Sequence, residues 1–235
     1  MTISVIIPTL NEASTIAVTI RHTAQLGFEE IVVVDGGSSD QTNTIVASLV
    51  SGMQHATLTT VRQLAAPPGR ARQLNAGTKT ARGEVLLFLH SDTRLPDGAK
   101  QHIESALADP VVVGGRFDVA FNSPSLWGRM IGRLMNLRSR VTRISTGDQA
   151  MFVRRHVFEQ LGGFSDIPIM EDVDFSIRLK RMGPTIALRD RVITSFRRWE
   201  RQGPLRTILL MWVLRFLYWI GVSPQRLRWF YATVR

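Results

Sequence analysis

The sequence predicts an α/β fold, with a mostly parallel sheet flanked by helices and an apolar helical extension at the C-terminal end. Short apolar runs alternate with helix-like segments over about the first 95 residues, which is typical of parallel strands joined by crossover helices. Polar and acidic residues follow several of these runs directly, as expected at the carboxyl edge of an open sheet. A nearly continuous apolar run over residues 205–222 predicts the extension.

Four strands are predicted in the first half of the chain. Each is a short run of apolar, often β-branched residues, the pattern of strands covered on both faces. The fourth run leads directly into His90, Ser91 and Asp92. The predicted strands are residues 3–7, 31–34, the weaker 58–61, and 85–89.

Helices are predicted between these strands by apolar residues at helical spacing. Asn11 stands where it could cap the first helix, and Asp40 stands similarly before the second. Pro67, Pro68 and Gly69 precede a basic helix that contains Arg70 and Arg72. The sequence has no G-x-G-x-x-G after the first strand and no G-x-x-x-x-G-K-[ST], which argues against dinucleotide oxidoreductases and P-loop NTPases.

The second half of the chain changes character. Gly114 and Gly115 interrupt a strand-like run over residues 111–121, which indicates a bulge or a close approach of another backbone. The remaining predicted elements are a basic amphipathic helix over residues 126–141, a strand over 149–153 and a helix with an acidic first turn over 171–182.

The predicted extension is rich in tryptophan and arginine. A membrane-spanning helix needs roughly 20 apolar residues, and Arg215 in the middle of the run would cost about 2.5–3.5 kcal/mol there. A helix lying at the membrane interface fits the composition better. The alternatives are a helix hairpin packed on the core or on a second subunit and, least favoured, a spanning helix.

The composition is globular, with 44% hydrophobic and 20% charged residues among 235, and it contains no cysteine. The net charge of +10 comes almost entirely from arginine, which suits phosphorylated substrates and anionic membranes. No nucleic-acid-binding motif is recognised, so no nucleic acid partner is expected. The N-terminal residues lack the basic and long apolar segments of a signal peptide, which favours a cytoplasmic location.

Three acids follow predicted strands: Glu12, Asp35 and Asp92. Asp92 is the first candidate for a metal or diphosphate site, because open sheets bind ligands at this edge. Asp35 precedes Gly36, whose missing side chain would let a ligand approach, and its carboxylate could accept from a base N–H or a ribose hydroxyl. The competing interpretation of such acids is a helix cap, which we prefer for Asp40.

Four motifs in order resemble family 2 glycosyltransferases of the GT-A fold. They are SVIIPTLNE at residues 4–12, VVDGGSSD at 33–40, LFLHSDT at 87–93 and MED at 170–172. The resemblance covers about residues 1–200 and implies a Rossmann-like GT-A domain there, with 201–235 as the helical extension. It also implies a nucleotide-diphospho-sugar donor, carrying UDP or GDP, a divalent cation (Mn²⁺ or Mg²⁺) and an inverting transfer.

The resemblance also implies roles for individual residues. Asp172 would be the catalytic base, with Glu171 and Asp174 as the near alternatives. Asp92 would hold the metal, and Asp35 would hold the base of the nucleotide. A single base without an enzymic nucleophile gives one displacement with inversion. The implied donor-site residues are Pro8, Thr9, Glu12, Asp35, Gly36, Arg72, Ser91 and Asp92. From position alone, Asp172 could equally serve to offset the helix dipole.

The acceptor side is predicted less sharply. Asp148 and Gln149 follow a glycine and would shape it, or would simply form a turn. Arg197 and Arg198 would contact a diphosphate or a lipid phosphate, or would form a solvated face. With Trp199 they resemble the Q-x-x-R-W motif of processive synthases, but Ser195 replaces the glutamine, which argues against processive polymerisation. A further departure is His90, which replaces the first acid of the D-x-D motif.

The favoured function is therefore sugar transfer to a small or lipid-linked acceptor hydroxyl by a cytoplasmic protein on the inner face of the membrane. An anionic membrane surface is the expected partner, and a homodimer is possible. One alternative is a catalytically inactive nucleotide- or membrane-binding module on a transferase scaffold. A nucleotidyltransferase is disfavoured because no glycine-rich, lysine-bearing loop follows the first strand.

Overall fold

A mixed sheet lies at the centre of the computed structural model, which describes residues 1–53 and 58–232. Seven strands form it within those residues, in the spatial order β3-β2-β1-β4-β6-β5-β7. The strands are β1 (Ile3–Thr9), β2 (Glu30–Asp35), β3 (Thr60–Ala65), β4 (Val85–Phe88), β5 (Gly114–Phe121), β6 (Phe152–Arg154) and β7 (Thr185–Thr194).

Helices cover both faces of this sheet. They are α1 (Ile16–Gln25), α2 (Thr42–Met53), α3 (Arg70–Thr80), α4 (Ala99–Ala106), α5 (Leu126–Thr142), α6 (Arg155–Gln160), α7 (Glu171–Met182), α8 (Arg197–Gln202), α9 (Pro204–Trp219) and α10 (Pro224–Ala232). The pairs β1–β2, β2–β3, β1–β4 and β5–β7 are parallel, and β6 runs antiparallel to β4 and β5. The predicted α/β fold with a mostly parallel sheet is confirmed.

The central strands are buried on both faces, as their apolar runs predict. Leu87 packs into a core with α1 and α4 on one side of the sheet, and Leu86 packs into a second core with α3 and α7 on the other. Burying one such side chain stabilises the fold by about 1.5–3 kcal/mol. The register pairs Thr9 with Asp35, so that β1 and β2 end side by side.

Three predictions about caps and strand bounds need correction. Asn11 does not cap α1: it adopts a positive φ, and its side-chain oxygen accepts from the Ser39 amide at 2.8 Å, which joins the loops after β1 and β2. Strand β3 begins later than predicted and runs through polar residues, since it lies at the edge of the sheet. The predicted strand at 149–153 starts at Phe152, because residues 147–149 form a 3₁₀ turn.

Other predictions hold. Asp40 accepts from the amide of Thr42 at 2.9 Å, at the start of α2. Helix α7 has the predicted bounds, and α5 extends the predicted helix by one residue. A methyl group on Gly114 or Gly115 would lie 2.4 Å from a backbone oxygen of a neighbouring strand, so the close backbone approach is confirmed.

Helix α9 packs against the domain on one side and is exposed on the other. Thr207 and Leu214, two turns apart, are fully buried. Tyr218 interacts electrostatically with Asp174 in the first turn of α7, and burial followed by this carboxylate raises the pKa of the tyrosine. Within the described part of the chain, no helix has the length and apolar character needed to cross a membrane.

Candidate active site

Two strand-end carboxylates converge on one guanidinium at the carboxyl edge of the sheet. Nη2 of Arg197 donates to Glu12 Oε2 at 3.1 Å and to Asp92 Oδ2 at 3.3 Å. Glu12 follows β1 and Asp92 follows β4, which are adjacent parallel strands. Burial opposes the charge on Arg197, but the two carboxylates outweigh that effect and raise its pKa. The edge of the sheet therefore presents an acidic pair that already holds a cationic group.

Asp35 lies at the end of β2, which is the strand next to β1. It accepts hydrogen bonds from the loop after β2 and from the first turn of α2. It accepts from the amides of Gly37 and Ser38, both at 2.9 Å, and from the side-chain amide of Asn43 at 3.1 Å. Burial opposes ionisation of Asp35, yet these bonds and that from the Ser38 hydroxyl lower its pKa. Asp35 thus fixes the loop after β2, and its contact with a nucleotide base remains a prediction.

The second acidic group lies in the first turn of α7. Asp172 Oδ2 accepts from the amide of Gly147 at 2.8 Å, and Oδ1 accepts from its own helix at Val173, at 2.7 Å. Glu171 is buried, and its carboxylate lies 3.8 Å from Nε of Arg70. Burial, reinforced by the charge of Asp172, raises the pKa of Glu171 to about 7 although Arg70 opposes the shift.

His90 connects the end of β4 to the loop that contacts α7. Its Nδ1 lies 3.2 Å from Asp148 Oδ1. Its Nε2 is buried and has no hydrogen-bond partner among the described residues. A methyl group at Gly147 would come within 2.6 Å of that nitrogen and 3.3 Å of the Arg70 guanidinium. Glycine at position 147 therefore keeps open the space in front of both side chains.

A small cavity lies between the end of β4 and the first turn of α7. Strand β1, the end of β4, helix α3 and the first turn of α7 all contribute to its wall. It is lined by Pro8, Arg70, Leu74, Phe88, Leu89, His90, Gly147, Met151, Phe164, Glu171 and Asp172. The end of the β4 strand and the start of the acidic helix therefore share one cleft.

The other predicted donor-site residues occupy different environments. Thr9 and Ser91 are buried, and their backbone oxygens accept from Gln73 and Thr19. Gly36 leaves room for Gln73, whose side chain would lie 2.9 Å from an added methyl group. Arg72 points away from the cavity in an exposed ion pair with Asp166, at 2.8 Å. Its contact with a diphosphate stays a prediction, and Arg70 is the arginine of α3 that lines the cavity.

The predicted acceptor-side residues are also divided. Asp148 is partly exposed, whereas Gln149 is fully buried and donates to the Ser139 hydroxyl at 2.9 Å. The ring of Trp199 stacks on Phe196 with its centroid 6.1 Å away. The side chain of Arg198 lies outside the part of the chain that the structure describes.

Two arginines near Asp172 were not predicted as site residues. Arg138 lies on α5 and Arg215 on α9, and each interacts electrostatically with Asp148 and Asp172. From sequence, Arg138 resembles the other arginines of the basic helix α5. The interruption of the apolar run by Arg215 was the one available signal.

The residues at the sheet edge suit a divalent cation. Glu12 and Asp92 each direct one carboxylate oxygen at the Arg197 guanidinium, so the two carboxylates lie close enough to pair with the same cationic group. Carboxylates are the ligands that Mg²⁺ and Mn²⁺ prefer, and Mg²⁺ commonly uses one or two of them together with substrate phosphates. No set of three or more such ligands occurs within the described residues, so the remaining ligands would be phosphate and water.

Comparison with known sequences gives one family. A family model described as glycosyl transferase family 2 matches residues 4–162. The probable glycosyltransferase YdaM of Bacillus subtilis is 26% identical over 216 residues, which cover 85% of this chain and 50% of that protein. The beta-monoglucosyldiacylglycerol synthase of Trichormus variabilis is 25% identical over 75% of this chain and 41% of that protein. The chain spans about half the length of the curated relatives it matches.

Solved structures give the same fold. TarS of S. aureus, in complex with UDP, has a TM-score of 0.67 and 21% identity, over 83% of this chain and 60% of that chain. The mannosyltransferase PcManGT of Pyrobaculum calidifontis, in complex with GDP-Man and Mn²⁺, has a TM-score of 0.68 and 23% identity, over 91% of this chain and 64% of that one. These likenesses agree with the predicted GT-A fold.

Proposed function

The chain belongs to glycosyl transferase family 2, and from this premise we propose that it transfers a sugar from a nucleotide-diphospho-sugar to an acceptor hydroxyl with inversion. The observation that carries the proposal is the shared cleft between the end of β4 and the first turn of α7. A donor bound at the strand ends would then face the acid that opens α7. UDP and GDP sugars are the donor candidates, because TarS and PcManGT are described with UDP and GDP-Man.

In this mechanism Asp172 accepts the proton of the acceptor hydroxyl as that oxygen attacks the anomeric carbon. The Gly147 amide, 2.8 Å from Oδ2, holds the carboxylate in place. Arg70 and Arg197 are placed to meet the negative charge that develops on the departing diphosphate. Asp92 and Glu12 would hold Mn²⁺ or Mg²⁺, which when bound supplies further positive charge beside that diphosphate.

Ligand-induced stabilisation of the full chain tests this function. We expect UDP or GDP to raise the melting temperature when Mn²⁺ is present and to have little effect without it, because binding to the native state stabilises it. AMP with Mn²⁺ serves as the control ligand. Stabilisation by neither nucleoside diphosphate, with or without metal, would instead favour the alternative of an inactive membrane-binding module on a transferase scaffold.

We also propose that the protein acts at the cytoplasmic face of a membrane, on an acceptor that is small or lipid-linked. Two helices expose apolar rows at three- and four-residue spacing, and both carry exposed arginines, among them Arg133 on α5 and Arg206 on α9. Anionic lipid headgroups complement such a surface. The relative from Trichormus variabilis is named as a diacylglycerol-lipid synthase, which supports this choice. The rows are Trp127, Met130, Leu134, Leu137 and Val141 on α5, and Leu205, Leu209, Trp212, Phe216 and Trp219 on α9.

Vesicle flotation tests the membrane surface. We expect the full chain to float with phosphatidylglycerol vesicles and less with phosphatidylcholine vesicles, and high salt should weaken the binding. Changing both Trp212 and Trp219 to serine should lower the partition coefficient by at least roughly 10-fold, since it removes large apolar side chains from the interface. Val111→Ser, at an exposed apolar residue elsewhere, is the control. Light scattering that shows a dimer, without flotation, would mean that the rows form a subunit interface.

A further inference from the structure

Two arginines face the candidate base from helices that are far apart in sequence. Arg138 comes from α5 and Arg215 from α9, and each guanidinium lies within electrostatic reach of the other and of Asp172. The donor-side machinery described above uses Arg70 and Arg197, so it leaves this second pair without a role.

Helix α5 is tied to the loop that contacts Asp172. That loop carries Asp148, and its Gln149 donates to Ser139, the residue after Arg138. The same loop donates from Gly147 to Asp172. On α9, Tyr218 lies one turn after Arg215 and interacts electrostatically with Asp174 in the first turn of α7. Arg138 and Arg215 are therefore both neighbours of the acidic turn that carries Asp172.

Two hydrogen-bond donors of Arg138, near Asp172, are buried without acceptors in the described part of the chain. Its Nε and Nη2 have no hydrogen-bond partner among the described residues. Leaving buried, charged donors unpaired is costly, and a guanidinium fork is matched in shape by a phosphate or carboxylate. Burial and then the nearby Arg215 lower the pKa of Arg138 to about 10, although Asp172 and Asp148 oppose the shift. The local carboxylates thus do not compensate for burying this charge.

Those two carboxylates are engaged elsewhere. Asp148 lies 3.2 Å from His90, and Asp172 accepts from two backbone amides. Glu171, with a pKa of about 7, contributes only part of a negative charge at neutral pH. Burial also lowers the pKa of Arg215, against the influence of Asp172 and Asp148. An oxyanion between the two guanidinium groups would relieve their repulsion.

We propose that Arg138 and Arg215 bind a phosphate group of the acceptor, next to the hydroxyl that Asp172 deprotonates. This inference rests on the proposed glycosyl transfer and specifies its acceptor. The exposed apolar rows of α5 and α9 support a lipid acceptor, because the acyl chain attached to that phosphate would contact them. The acceptor is then an amphiphile that carries a phosphate ester, with a free small phosphate ester as the alternative source of the same group.

Binding calorimetry with matched probes tests the proposal. The probes are 1-hexanoyl-glycerol 3-phosphate, 1-hexanoyl-glycerol, which lacks the phosphate, and glycerol 3-phosphate, which lacks the chain. We expect the full chain to bind the phosphorylated lipid at least roughly 10-fold more tightly than the uncharged one, as charge-assisted hydrogen bonds predict. Weaker binding of glycerol 3-phosphate would identify the lipid as the source, and equal binding would identify a free phosphate ester.

Variants then assign the preference to residues. Arg138→Gln and Arg215→Gln should each bring the ratio of the two lipid affinities close to one, and leave Mn²⁺-dependent binding of UDP or GDP within about twofold. The controls are Arg21→Gln on α1 and Arg82→Gln before β4, both at exposed positions outside the apolar rows and arginines of α5 and α9. If either arginine cannot be replaced without loss of folding, the ratio of the two lipid affinities measured for the unaltered chain still tests the preference for phosphate.

Two results would overturn the inference. One is equal affinity of the unaltered chain for the two lipids, and the other is a loss of nucleotide binding, rather than of phosphate preference, in the Arg138 and Arg215 variants. In both cases nucleoside diphosphate binding by the unaltered chain would leave the proposed glycosyl transfer intact. Absence of any metal-dependent nucleotide binding would instead count against the proposed function itself.

Discussion

Replacing Asp172 by asparagine is expected to lower the rate of sugar transfer by roughly 10²–10⁴-fold, the usual contribution of a positioned general base. Asparagine has the same shape and can still accept from the Gly147 amide, but it cannot take a proton. Binding of UDP or GDP with Mn²⁺ should change little, because the donor lies at the strand ends. Single-turnover transfer and nucleotide calorimetry on the same preparation measure the two effects.

Asp174→Asn is the matched control for this variant. Asp174 lies in the same acidic turn, but its carboxylate is engaged by Ser165, at 2.7 Å, and by Arg178, at 2.8 Å. We expect its transfer rate to stay within a few-fold of the unaltered chain, with some loss of thermal stability. Full activity of Asp172→Asn would reject Asp172 as the base and direct attention to Glu171.

The second large effect is expected for Asp92→Asn. This change removes one of the two carboxylates that converge on the sheet edge, and we expect Mn²⁺-dependent affinity for nucleoside diphosphate to fall by at least roughly 10-fold. Transfer should fall at least as much. Titration of UDP or GDP at fixed Mn²⁺, followed by the shift in melting temperature, measures the loss independently of turnover.

Asp97→Asn serves as the control for Asp92, since Asp97 is an exposed acid in the loop that follows. It should bind nucleotide as the unaltered chain does. Unchanged metal-dependent binding in Asp92→Asn would show that the cation, if used, is held elsewhere. Loss of nucleotide binding in both variants would point to general weakening of the loop after β4.

Burial on both faces explains which parts of the fold could be predicted from sequence. Strands β1, β2 and β4 are almost entirely buried and have apolar centres, so their runs are distinct in the sequence, and the residues that follow them mark the site edge. Strand β7 was missed because it lies at the edge of the sheet and includes the charged residues Arg189, Asp190 and Arg191. Strand β3, at the opposite edge, was displaced in the prediction for the same reason.

The site was predictable to a similar degree. Acids at strand ends and at a helix start are visible in the sequence, and one cavity brings the end of β4 beside the first turn of α7, although Asp92 is not among its lining residues. The convergence of Glu12 and Asp92 on Arg197 was not predicted, since it joins residues 105 or more positions apart. Arg138 and Arg215 depend on how α9 packs over α7, which helical periodicity alone does not determine.

Helix α9 carries both the exposed apolar row and Arg215, so proposed membrane binding and proposed acceptor binding need separate variants. Truncation before Gly203 would remove the exposed apolar row of α9 together with Arg215 and Tyr218, which interact electrostatically with Asp172 and Asp174 in the acidic turn of α7. Loss of activity in the shortened protein would then have two candidate causes: loss of the apolar row and loss of Arg215 and Tyr218. Substitution of the exposed Trp212 and Trp219 alone keeps Arg215 and Tyr218 in place, so it tests membrane binding separately from catalysis.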